Sequence, residues 1–185
     1  MNEQRLWLIR HAESTWNAAG RWQGQADPPL SERGRTQAEQ LAQGLRGEGL
    51  EVLVASDLVR TAETARVVAG ALGIEPRFDA RLRELDAGSW AGLAREEIVR
   101  RDQTALERFD TGDPTAPAGG AETRGDVARR ARAALREILP MLSGQRVAIL
   151  SHQGVLHSLV PGLRLGNAEW CVVERSVLVT REAAA

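Results

Sequence analysis

Three short apolar runs, at residues 6–9, 52–55 and 147–150, are separated by long stretches of helical composition. Runs this short suit strands. Strands alternating with helices join by crossovers into a mostly parallel sheet with helices on both faces. The run Val147–Leu150 is apolar at every position, as in a strand buried on both sides. The sequence thus predicts strands over Leu6–Arg10, Val52–Ala55 and Val147–Ser151. A further short strand or extended segment holds Phe78 and Leu82 and leads to Glu84. Two last strands, Cys171–Val173 and Val177–Val179, are expected about a turn at Arg175-Ser176. Ser31 caps a predicted helix reaching Arg46, with Glu32 in its first turn and Ala38, Leu41, Ala42 and Leu45 as one apolar stripe. Further helices are expected from about Asp57 to Leu72, over 94–110, from Thr123 to Leu142 and from Val155 to Val160. Residues 18–30 and 111–120, rich in Gly and Pro, read as loops. With no internal repeat or linker, the expected fold is α/β, a three-layer sandwich formed by residues 1–185 as one domain.

Composition narrows the function classes. The 185 residues carry a formal net charge of −1, which gives no electrostatic footprint for nucleic acid or a membrane surface. All 24 basic residues are Arg, so no lysine can form a Schiff base or hold a phosphate. The one cysteine, Cys171, lies in an apolar run, reads as a structural thiol and permits no internal disulfide. The first strand begins within five residues of Met1, which leaves no room for a signal peptide, and no apolar stretch reaches membrane-spanning length. Together these predict a cytoplasmic protein.

The first strand ends in Arg10-His11, and the polar residues Glu13, Ser14, Thr15 and Asn17 follow. In open α/β sheets ligands bind at the carboxyl ends of the strands. An imidazole there, beside a guanidinium, suits a nucleophile facing an anion that the guanidinium holds by a bidentate fork. Arg10 also favours the neutral ring, because a neighbouring cation opposes protonation. Arg60 lies one turn into the helix after the second strand, within reach of the same edge, although pairing with Glu63 or Glu13 would be an ordinary surface alternative. His152 ends the buried strand at 147–151, where free amides at a helix start favour phosphate. His157 lies about 140° around a helix from His152, a poor geometry for a shared ligand, and reads as a packed or rim histidine.

Four segments stand in a familiar order: Leu6–Asn17, Ala55–Ala65, Leu82–Leu93 and Ile149–Gly154. Together they resemble the histidine phosphatase superfamily, also called phosphoglycerate mutase-like, over almost the whole chain. The resemblance implies a nucleophile at His11 that carries the phosphoryl group, with Arg10, Arg60, His152 and Asn17 as phosphate-binding residues. It implies no cofactor and no metal. Glu84 and Asp86 face the same side if their segment is a strand, so spacing does not separate them as proton donors. The family pattern selects Glu84, the carboxyl preceding Gly88. Gln23 and Gly24 lie in a loop that lines the substrate pocket in relatives, and Glu122 matches the Glu of a late Gly-Gly-Glu turn. The chain departs from the pattern at Ala12, Ala121 and Gln153, each in place of Gly. Gln153 is expected to narrow the pocket and shape specificity.

The resulting expectation is a metal-independent phosphomonoesterase acting on a small phosphate ester. A phosphoglycerate mutase is the alternative within the family. It is disfavoured because only a short stretch between Glu84 and Gly120 could close over a phosphoenzyme and exclude water. A non-catalytic phosphate-binding module would be expected to lack His11 or Glu84. A metallohydrolase using His11, Glu13 and His152 lacks any ligand pair at i, i+4 on a helix.

Overall fold

In the computed structural model, residues 5–179 are described; the one-domain expectation for 1–185 extends past them at both ends. In chain order the elements are β1 (Arg5–Arg10), α1 (Thr15–Ala18), α2 (Glu32–Leu45), β2 (Val52–Ala55), α3 (Val59–Leu72), β3 (Pro76–Phe78), α4 (Arg95–Asp110), α5 (Arg124–Met141), β4 (Val147–Ser151), α6 (Gln153–Leu159), β5 (Trp170–Glu174) and α7 (Arg175–Val179). The strands form one sheet of order β3-β2-β4-β1-β5, in which the first four run parallel and β5 runs antiparallel to β1.

Alternate residues of the central strands serve opposite layers. Leu6, Leu8, Val52, Val54, Val147 and Ile149 pack with Val127, Ala131, Leu135, Val155 and Trp90 on one face. Trp7, Ile9, Leu53, Ala55, Ala148 and Leu150 pack with Leu41, Leu45, Ala65 and Val68 on the other. The helices that cover the two faces are therefore α5 and α6 on one side and α2 and α3 on the other, the three-layer α/β sandwich the alternation predicts. Ser31 caps α2 by accepting the Gly34 amide, and Thr123 caps α5 by accepting that of Asp126.

Topology places the site. Chain entering β4 passes between β1 and β2, and the register sets Arg10 opposite Ser151 and Ala55 opposite Leu150. Strands β1 and β4 thus end level and β2 one residue earlier, and the next residues, His11, Ser56 and His152, emerge at one edge.

Some elements differ from the sequence reading. Val177–Val179, expected as a strand, is helical: α7 begins at Arg175, where a turn was expected, packs against α5 and buries Leu178 in the core. Its β-branched composition favours a strand, but burying Leu178 against α5 overrides that preference. The short helix α1 was not foreseen; Ser14 caps it and Asn17 returns a bond to the Ser14 amide. Phe78 ends β3, whereas Leu82 lies in a 3-10 turn. Helix α4 is broken at Asp102, whose carboxylate accepts the indole N–H of buried Trp90 at 3.2 Å. Among the described residues no helix is long and apolar enough to cross a membrane.

Candidate active site

A cleft of about 580 Å³ opens over the carboxyl ends of the strands. Arg10, His11, Asn17, Gln23, Gly24, Arg60, Glu84 and Gln153 all line it. His152 does not; it is fully buried and packs against His11, with ring centroids 5.0 Å apart.

His11 is 3% exposed, and its Nδ1 lies 2.7 Å from the Ala12 carbonyl oxygen. A carbonyl only accepts, so Nδ1 carries the hydrogen and Nε2 keeps its lone pair. Burial holds the His11 pKa well below the usual histidine value, and the charge of Arg60 and then of Arg10 pushes the same way. The ring is a neutral imidazole with one free nitrogen. Asn167 Nδ2 and the Ala168 amide both bind the His11 carbonyl oxygen, which fixes the peptide that presents it.

Arg60 is 1% exposed and donates to the carbonyls of Gly24 and Ala26 at 2.9 and 2.8 Å. The surface pairing with Glu63 or Glu13 does not form: Glu63 accepts the Leu30 amide, and Glu13 is turned to Ser31 and Arg33. Arg10 donates to Leu165 O at 2.7 Å. Desolvation lowers the pKa of both guanidiniums. His152 Nε2 lies 2.9 Å from Ser56 Oγ and 3.1 Å from Thr61 Oγ1. Both contacts fit either tautomer of His152; when Ser56 Oγ, which accepts the Leu58 amide, gives its own hydrogen to Nε2, the His152 hydrogen sits on Nδ1.

Several polar atoms in and beside this cleft are buried without a partner. Among the described residues they are Arg10 Nε, Arg60 Nε, His152 Nδ1 and Arg124 Nε. Buried donors are normally satisfied, and an orphan costs about 1–3 kcal/mol. Three of the four belong to the Arg-His group at the ends of β1 and β4 and the start of α3. Donors left without acceptors in a desolvated site suit an anion.

Glu84 and Asp86 now separate. The Glu84 carboxylate lines the cleft and accepts the Leu85 amide at 2.9 Å and the Gly154 amide at 3.2 Å. Asp86 is exposed and caps the Gly88 amide instead. The α6 amide that the sequence reading assigned to phosphate is thus engaged by Glu84. A Cβ on Gly154 would stand 2.3 Å from Glu84 Oε1, so only glycine admits the carboxylate there. Sequence reasoning did not single out Gly154.

Asn17 Oδ1 is occupied by Ser14 and Asn167, which leaves its NH2 as the end that can meet a ligand. Gln23 accepts the Ser14 hydroxyl through Oε1 at 2.6 Å, leaving its NH2 in the same way. Gly24 has φ +53°, and a Cβ would stand 2.6 Å from Ala87 N. Gln153 lines the cleft, but both ends of its amide are engaged: Nε2 donates to Leu163 O and Oε1 accepts the Leu165 amide. It braces a loop. Neither Ala12 nor Ala121 has a positive φ, so the added methyls cost no backbone strain.

Glu122 belongs to a clamp outside the cleft. Its carboxylate pairs with Arg130 Nε and Nη2 at 2.6 and 2.9 Å and accepts the Asp86 amide at 3.0 Å. Arg130 also donates to the carbonyls of Arg81 and Glu84 at 2.7 and 3.0 Å.

The model of the histidine phosphatase superfamily, branch 1, matches residues 6–171, spanning every one of these groups. The chain belongs to that superfamily. It is 34% identical over 165 residues to a probable phosphoglycerate mutase, GpmB, of Salmonella paratyphi B, covering 89% of this chain and 76% of that protein. Its fold matches a mycobacterial glucosyl-3-phosphoglycerate phosphatase, solved with VO3, with a TM-score of 0.85, 32% identity and coverage of 91% and 90% of the two chains. YhfR of Bacillus stearothermophilus matches with a TM-score of 0.83, 30% identity and coverage of 92% and 91%. Of these three, one is named as a phosphatase and one as a probable mutase.

Proposed function

We propose that the protein is a phosphomonoesterase that hydrolyses small phosphate esters through phosphohistidine on His11, with Glu84 as general acid and base. The observation that carries this reading is the neutral His11 with free Nε2 beside orphaned guanidinium nitrogens of Arg10 and Arg60. Phosphoryl transfer gains mostly from positioning and from cations around the equatorial oxygens. Arg10, Arg60, His152 Nδ1–H and the Asn17 amide supply donors for them. Nε2 attacks phosphorus in line as the ester P–O bond breaks, and the Glu84 proton passes to the departing oxygen. The bond from Nδ1–H to Ala12 O strengthens as the ring becomes cationic. Water then gives a proton to Glu84, its oxygen attacks phosphorus, the N–P bond breaks and inorganic phosphate leaves. Gln23 and Gly24 shape the pocket wall, and Gln153 braces it.

The Salmonella relative keeps transfer to a second alcohol as the alternative. The stretch from Glu84 to Gly120 holds one helix and short turns, which leaves little to exclude water and supports hydrolysis. The single cysteine, which permits no internal disulfide, supports a cytoplasmic enzyme.

The test is covalent. Rapid quenching with labelled substrate should leave acid-labile, base-stable label on His11, and His11→Ala should abolish both label and turnover. Label on His152, a serine or an aspartate would overturn the mechanism. Product analysis separates hydrolysis, which releases phosphate, from transfer to an added alcohol. Activity should persist in chelator, since Arg10 and Arg60 supply the charge.

A further inference from the structure

The fourth orphaned donor lies outside the phosphate group. Arg124, the first residue of α5, lines the same cleft, and its Nε is buried without a partner. Its guanidinium lies over Phe109, 4.2 Å from the ring centroid. Burial lowers its pKa and the nearby charge of Arg164 adds to this, while Asp110 and Glu84 oppose it. Asp110 is already paired with Arg95. Arg81, Arg83, Arg108 and Arg130 also pair with carboxylates, whereas Arg124 and Arg164 form no ion pair among the described residues.

Arg164 is held at the cleft by a specific device. Gln153 bonds to Leu163 O and to the Leu165 amide, the peptide groups on either side of it, and Leu165 O in turn accepts Arg10. One of the chain's departures from the family pattern therefore fixes the loop that presents this cation. His157 lines the cleft as well, and Trp22 and Phe109 supply an aromatic wall. A volume of about 580 Å³ suits a whole small organic molecule rather than a phosphoryl group alone. Glu84, which lines the same cleft as Arg124 and Arg164, is the group that protonates the departing oxygen in the proposed reaction. The second pair of cations consequently faces the alcohol half of the ester.

We infer that Arg124 and Arg164 form a second anion subsite, and that the alcohol released from the ester carries a carboxylate or a further phosphate. The identity of the substrate half rests on the phosphatase reading; the subsite can be tested without turnover. The probes are three-carbon phosphate monoesters ending in a hydroxymethyl group, a carboxylate or a second phosphate. Calorimetry on His11→Ala should show binding of the anion-ended esters at least about ten-fold tighter than the neutral one, the scale of one charge-assisted contact. Whichever of the two binds tighter names the anion. Adding Arg124→Gln or Arg164→Gln should bring the ratio toward one; the second change lies on an exposed loop and covers the case in which the first disturbs folding. Equal affinities for all three esters, or a preference unchanged in both variants, would overturn the subsite. Retained preference with no hydrolysis of any ester or of an aryl phosphate by the unaltered enzyme would uphold the subsite and overturn the phosphatase reading.

Discussion

Glu84 and Gly154 form a pair that neither residue explains alone. The carboxylate needs a fixed position beside the ester oxygen, and the Gly154 amide holds it only because no Cβ intervenes. Gly154→Ala should therefore expel the carboxyl and lower turnover on alkyl phosphates by about 10²-fold, at the lower end of what general acid catalysis contributes. An aryl phosphate such as p-nitrophenyl phosphate, whose leaving group needs little protonation, should lose far less. Glu84→Gln should give the same leaving-group dependence with a modest change in KM, because the carboxyl acts mainly in the transition state. Asp86→Asn should not, since Asp86 is exposed and bonded to Gly88. If Asp86→Asn shows the leaving-group dependence and Glu84→Gln slows both substrates equally, the assignment is wrong.

At the scale of elements, the segment that carries Glu84 has no strand to hold it. It is fastened by Arg130 of α5, which binds the carbonyls of Arg81 and Glu84, and by Glu122, which binds Arg130 and the Asp86 amide. The Glu122–Arg130 pair is largely shielded from water, so its bonds are screened little. Arg130→Gln should cost on the order of 1.5–3 kcal/mol in urea denaturation, the range for bonds to a charged group. It should also lower turnover on alkyl phosphates more than on aryl phosphates, because the acid loses its position. An equal loss on both substrates would mean that Arg130 serves stability alone.

Across the whole molecule, the buried imidazoles link stability to pH. Burial and then Arg60 hold both His11 and His152 well below their unfolded value of about 6.5. Above that pH both states are neutral and the rings contribute nothing. Below it the unfolded chain takes up protons that the folded protein refuses, so stability falls as pH drops. The slope is at most about 1.4 kcal/mol per pH unit for each ring. Carboxylates held low, such as Asp57 by Arg83 and Asp79 by Arg81, add their own loss only near pH 4 and below. Urea denaturation at pH 7, 6 and 5 should show the decline, and His152→Gln should reduce its slope by about one proton. An unchanged slope in that variant would remove His152 as a source.

Short apolar runs and helix caps made the layered α/β fold legible in the sequence, because strand burial and helix amphipathicity leave local periodicities. Arg10 and His11 were legible too, as neighbours at the end of a strand. What the sequence does not encode locally is which ends meet. Insertion of β4 between β1 and β2 brings Arg10, Ser56 and His152 to one edge, and that pairing spans about 140 residues. The role of Gly154 follows from a contact with Glu84, 70 residues away, and the helical state of Val177–Val179 from packing on α5. Gln153 acts through a loop only 10 to 12 residues on, whose course no local periodicity reveals. Glu84 and Asp86 are two residues apart and alike in charge, so the sequence separated them only by family resemblance. The fold separates them physically, turning one carboxylate into the cleft against the Gly154 amide and leaving the other in water.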